Sequence, residues 1–169
     1  MGKTIKSGLG TGIGSSPQIS ISQASYENKM EKLLAREHMI KPLIDAGVKF
    51  NAKDVIFVTH DKKGRLIWLE TGNSNSGLNH IVLKHSDDFL NKHNVTQEQI
   101  PNHIKSIVQT GNVEYCRTVR KGNRDGLEIL YSKENQYYLL SGVGTNGFMV
   151  SAYPIDKDEA NRLKGRYKK

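Results

Sequence analysis

The sequence predicts an α+β fold, in which N-terminal helices pack on a four-stranded antiparallel β-sheet and an N-terminal β-hairpin lies beside them. Three observations predict it. Apolar residues recur at helical spacing early in the chain. Short alternating segments, separated by turns rich in Gly and Asn, fill its later part. The strands follow one another too closely for crossover helices, so antiparallel pairing is the default.

Residues 1–22 read as a flexible linker, because Gly2, Gly8, Gly10, Gly12 and Gly14 alternate with small and polar residues. The domain is expected over 23–169. A first helix is expected from Ser25 to Ala46, where Met30, Leu33, Leu34, Ile40, Leu43 and Ile44 recur at spacings near three and four. Gly47 would stop it, and Pro42 would kink or divide it. Val55–Thr59 and Arg65–Glu70 form the hairpin, joined by the turn Asp61–Gly64. A second helix spans Leu78–Lys92. A third spans Gln97–Gln109, with Thr96 and Gln99 at the spacing of a capping box. Four strands follow: Val113–Val119, Leu127–Ser132, Tyr137–Val143 and Phe148–Ile155. The turns between them are Gly122–Gly126, Lys133–Asn135 and Gly144–Gly147. A short basic helix closes the chain near Asp158–Arg166.

The chain has 169 residues, a formal net charge of +8 and an isoelectric point near 9.5. Such a surface attracts polyanions, of which nucleic acid is the commonest. Cys116 is the single cysteine, so no internal disulfide and no CxxC zinc pattern is expected. No apolar run approaches the roughly 18 residues of a membrane span, so no membrane anchor is expected. The N-terminus has no continuous apolar core, so no signal peptide is expected either.

Among the six histidines, His80 and His85 stand apart because both fall on the second helix. At 100° per residue, His85 joins Leu78, Ile81, Val82 and Phe89 in one stripe facing the sheet. His80 falls near the opposite face, about 140° away, so His85 is the expected central group. Cleavage of RNA without a metal needs a base for the ribose 2′-hydroxyl, an acid for the departing 5′-oxygen, and donors around the phosphate. Histidine suits the proton transfers, and Arg and Lys suit the phosphate. The sequence offers Lys84 beside the histidines and Arg117, Arg120 and Lys121 along a strand and turn. Thr118, Thr145, Ser151 and Tyr153 offer hydroxyls. Tyr115, Arg117 and Val119 share one strand face, and Thr118 and Arg120 the other. In the last strand, Phe148, Val150 and Ala152 share one face, and Met149, Ser151 and Tyr153 the other.

No metal or other cofactor is expected. Two histidines five apart diverge too far to share a metal on a straight helix, and no HExxH pattern occurs, which leaves a His-Asn-His metal nuclease weakly supported. No Gly-x-Ser-x-Gly elbow supports a serine hydrolase.

The segment Gly77-Leu78-Asn79-His80-Ile81 followed by His85, and the ending Gly147-Phe148-Met149-Val150-Ser151-Ala152-Tyr153-Pro154, together resemble the barnase/EndoU/colicin/RelE-like ribonucleases. The likeness runs over about Val55–Ile155 and is strongest to polymorphic or contact-dependent toxin tips and phage-associated branches. The resemblance implies helices on a four-stranded antiparallel sheet and metal-independent cleavage of RNA, often transfer RNA. It implies a dedicated immunity protein as partner and delivery as the tip of a larger effector that acts in the target-cell cytoplasm. Carried onto this sequence, it makes His80 and His85, with His85 the acid or base, and the strand residues Arg117 and Ser151 the catalytic candidates. The chemistry of the residues themselves adds Tyr153 to the catalytic candidates and makes Lys84, Arg120, Lys121 and Thr145 candidates for binding substrate. Two other readings stand beside it: a non-enzymatic nucleic-acid-binding module, which the same charge serves, with Tyr115, Tyr131, Tyr137 and Tyr138 stacking bases, and a protein-interaction or phage structural domain, which failure to bind nucleic acid at low salt would support.

Overall fold

A computed structural model describes residues 22–167. The expected linker, 1–22, lies outside the described residues except for its last member. Contacts divide the chain into one unit up to Ala35 and a second from Arg36 onward. The elements are α1 (Gln23–Asp45), β1 (Val55–His60), β2 (Leu66–Glu70), α2 (Leu78–His93), α3 (Ile100–Thr110), β3 (Asn112–Lys121), β4 (Arg124–Lys133), β5 (Gln136–Gly144), β6 (Ser151–Ile155) and α4 (Lys157–Tyr167). Among the described residues, no helix is long and apolar enough to cross a membrane.

In the first unit, residues 23–35 belong to α1, where Tyr26, Met30, Leu33 and Leu34 are exposed. Helical spacing correctly marks the helix there. The helix runs through Pro42 without a break.

The second unit holds a two-stranded antiparallel sheet, β1-β2, and a four-stranded antiparallel sheet in the order β3-β4-β5-β6. Its main core lies on one face of the larger sheet. Ile129, Tyr131, Leu140 and Ala152 pack there with Ile81 and Phe89 of α2, Ile104, Ile107 and Val108 of α3, and Phe57, Ile67 and Leu69 of the hairpin. Burying each large aliphatic or aromatic side chain stabilises the fold by about 1.5–3 kcal/mol before chain entropy is counted. Helix α4 covers the opposite face: Ala160 and Leu163 pack on Leu130, Leu139 and Ile155.

The expectation of N-terminal helices on the sheet therefore holds for α2 and α3. The C-terminal part of α1 instead packs on the hairpin, Leu43 against Val55 and Trp68. The helix on the far face comes from the C-terminus.

Two strand boundaries are corrected. The turn expected over Gly122–Gly126 is only two residues long, because Lys121 already pairs with Arg124. Gly122, at φ +61°, supplies the left-handed backbone such a turn needs. The strand expected over Phe148–Ile155 is split. Trp68 N–H donates to the Gly147 carbonyl and Met149 N–H to the Trp68 carbonyl, so 147–149 pairs with β2; only Ser151–Ile155 pairs with β5. The chain changes sheets at Val150, and the expected alternation breaks there. Phe148 packs by the hairpin, whereas Met149 joins the main core with Ala152.

Candidate active site

Pairing register sets the far face of the sheet. Arg117 lies opposite Glu128, Glu128 opposite the bulge at Ser141–Gly142, and Ser141 opposite Ser151. The next row is Tyr115, Leu130, Leu139 and Tyr153. Helix α4 lies over the end that carries Leu130, Leu139 and Ile155. The Arg117–Ser151 row borders the end beyond it. Helix α2 runs beside the edge strand β6, and the Gly77 N–H, at the start of α2, donates to the Val150 carbonyl at 3.0 Å.

That edge brings in the histidines. The His85 ring stacks on Tyr153, with centroids 4.4 Å apart and planes 22° from parallel. His85 Nδ1 donates to Asp88 Oδ2 at 3.2 Å, since an ionised carboxylate only accepts. Its Nε2 is then the ring's free lone pair when the ring is neutral. His80 Nδ1 donates to the Ser74 carbonyl at 2.9 Å by the same logic, so its Nε2 is also free. The two rings stand edge to face, 6.3 Å apart. Radial directions 140° apart predict a much wider gap. The Ser74 carbonyl and the Tyr153 ring turn the two side chains toward one another, so both belong to one place.

Gly77 makes this loop geometry possible. Its φ of +81° suits glycine, and a Cβ there would meet the Glu70 carbonyl oxygen at 2.8 Å.

On the sheet, Glu128 is the residue that sequence reasoning missed. Its Oε1 accepts from Arg117 Nε at 2.9 Å and from the Tyr115 hydroxyl at 2.8 Å. The Arg117 guanidinium lies over the Tyr167 ring, 4.1 Å from its centroid. The hydrogen bond to Glu128 holds the Arg117 pKa above its ordinary value. Burial, then the bond to Glu128, pushes the Tyr115 phenol up. Burial raises Tyr153 too, helped by the negative charges of Glu128 and Glu159. Both phenols stay protonated donors at neutral pH. Asp88 and Ser74, which fix the histidine tautomers, were also missed.

Ser151 faces the same side, with its hydroxyl buried and, among the described residues, without a hydrogen-bond partner. An unpartnered buried hydroxyl costs roughly 1–3 kcal/mol, and this one is closed to a substrate as the site stands.

The remaining candidates lie further out. Lys84 is exposed on α2, one turn on from His80. Lys121 shares the Arg117 face near the end of the β3–β4 ribbon, and Arg120 the reverse face. Thr145 lies apart from the histidines, on a cleft of about 440 Å³ lined also by Val48, Lys49, Arg65, Leu66 and Val143. Among the described residues, no group of three or more His, Cys, Asp or Glu side chains is placed to hold a metal ion. The chain matches no known protein family and no curated protein in sequence.

Proposed function

We propose that the protein is a metal-independent endoribonuclease that cleaves RNA by attack of the ribose 2′-hydroxyl on the adjacent phosphate. The observation that carries this reading is the His80–His85 pair, 6.3 Å apart, each held through Nδ1 and with neither Nε2 hydrogen-bonded among the described residues. Each proton transfer needs a nitrogen within about 2.6–3.2 Å of its oxygen, so two rings flanking one phosphate must stand several ångströms apart. One histidine takes the 2′-proton as the 2′-oxygen bonds to phosphorus. The other gives a proton to the 5′-oxygen as its bond to phosphorus breaks, leaving a 2′,3′-cyclic phosphate. The Tyr153 hydroxyl donates a hydrogen bond to this phosphate, and Arg117, held by Glu128 on the opposite edge strand of the same face, meets a neighbouring phosphate of the RNA.

Transfer RNA as target, a dedicated immunity protein and action in a target-cell cytoplasm are proposed with it, on the resemblance alone. The test is incubation with total RNA in EDTA. Wild type should produce fragments ending in cyclic phosphate, and His85→Ala should lower the rate about a hundredfold or more. RNA that binds but stays intact would replace this reading with the non-enzymatic one.

A further inference from the structure

The sheet face does not end at the proposed site. The pairing of β4 with β5 stops at Gly126, opposite Gly144, whereas β3 and β4 stay paired with each other out to Lys121 and Arg124. A two-stranded ribbon therefore projects past the end of the sheet that carries Arg117, Glu128 and Ser151. Arg120, Lys121 and Arg124 are all exposed on it. Lys121 and Arg124 sit directly opposite one another, on the face that carries Arg117. Like charges facing each other across a strand pair repel. Among the described residues, neither cation has an ion-pair partner, and the one nearby acid, Asp125, approaches Arg120 only to 3.9 Å. The tip holds uncompensated positive charge that an anion would relieve. Four residues of strand separate Lys121 from Arg117, about 13 Å.

We propose that this ribbon is a phosphate-binding arm that holds an RNA strand running on from the cleavage site along Arg117, Lys121 and Arg124. The proposal rests on the ribonuclease reading and adds to it a substrate longer than the scissile dinucleotide. A dinucleotide seated at the histidines does not reach the arm; an oligonucleotide does.

The experiment compares kcat/KM on a dinucleotide and on a 12-nucleotide single-stranded RNA at low salt. The variants are Lys121→Ala/Arg124→Ala and the charge-keeping Lys121→Arg/Arg124→Lys. In the alanine pair, the ratio of 12-mer to dinucleotide kcat/KM should fall at least tenfold, and the charge-keeping pair should match wild type. The slope of log affinity for the 12-mer against log salt should shrink by about 1.4 for two lost phosphate contacts. An unchanged ratio, or an equal loss on both substrates, overturns the arm. If wild type cleaves neither RNA, the ribonuclease reading fails separately. Fluorescence anisotropy with the 12-mer then decides: binding lost in the alanine pair supports the arm, and binding unchanged overturns it.

Discussion

One carboxylate oxygen, Glu128 Oε1, accepts from both Arg117 and Tyr115, and that single atom orients the cation proposed to meet phosphate. Glu128→Gln keeps the shape but weakens both bonds. The expected outcome is a stability loss of about 1–2 kcal/mol in chemical denaturation. RNA cleavage should fall by far more than that, and equal small effects on both would remove Glu128 from the site. A second group of side chains governs the response to pH. The His103 Nε2–H donates to the Tyr138 hydroxyl at 3.0 Å, and that hydroxyl donates to Gln136. The His93 ring lies 5.0 Å from Tyr138, with the Gln136 side chain beside it. Burial lowers the pKa of both histidines, and positive neighbours, Lys92 for His93 and His93 and Lys133 for His103, add to it; the Gln136 side chain and Asp156 oppose it at His93, and Glu134 at His103. With the folded pKa below the unfolded value of about 6.5, the unfolded chain binds more protons between the two. Stability is therefore full above about pH 6.5 and is lost as pH falls toward the folded values. Melting temperature should drop between pH 7 and 5, and His93→Gln should flatten that dependence. A variant with an unchanged slope would exclude His93 as a cause.

At the scale of elements, the loop before α2 decides where His80 stands. Gly77→Ala must strain a φ of +81° and push a methyl group into the Glu70 carbonyl. We expect a cost of about 1–3 kcal/mol and a loss of cleavage larger than the loss of folded protein explains. A variant that melts and cleaves as wild type does would show that the loop does not set the histidine pair. Much of this level was legible in the sequence. Periodicity marked the helices, and alternation with Gly and Asn marked the strands. Thr96 and Gln99 form the expected bond, Gln99 Oε1 accepting the Thr96 N–H at 2.9 Å. The Arg117–Glu128 pair was within reach as well. With Lys121 opposite Arg124, counting four back along each strand puts Arg117 opposite Glu128. A turn taken as five residues long instead of two hid that register.

At the scale of the second unit, the hairpin and the large sheet are joined at Trp68, the single tryptophan. It is buried, its indole N–H donates to the Asn146 carbonyl, and its backbone bonds to Gly147 and Met149. Because the hairpin also shares the main core, Trp68 fluorescence and far-ultraviolet circular dichroism of this unit should report one coincident unfolding transition in denaturant. Two separated midpoints would show that the hairpin unfolds by itself. The sequence by itself determined the residues with local causes: helices, most strands, turns, the charge that favours a polyanion, and the two histidines singled out. Tertiary structure decided what depends on partners distant in the chain. It set the change of sheet at Val150, placed α4 on the far face, and brought Glu128 onto the face that meets His85 at Tyr153. Backbone preference and side-chain period act within a few residues of chain, whereas strand register and the packing of sheet faces depend on groups brought together only by folding.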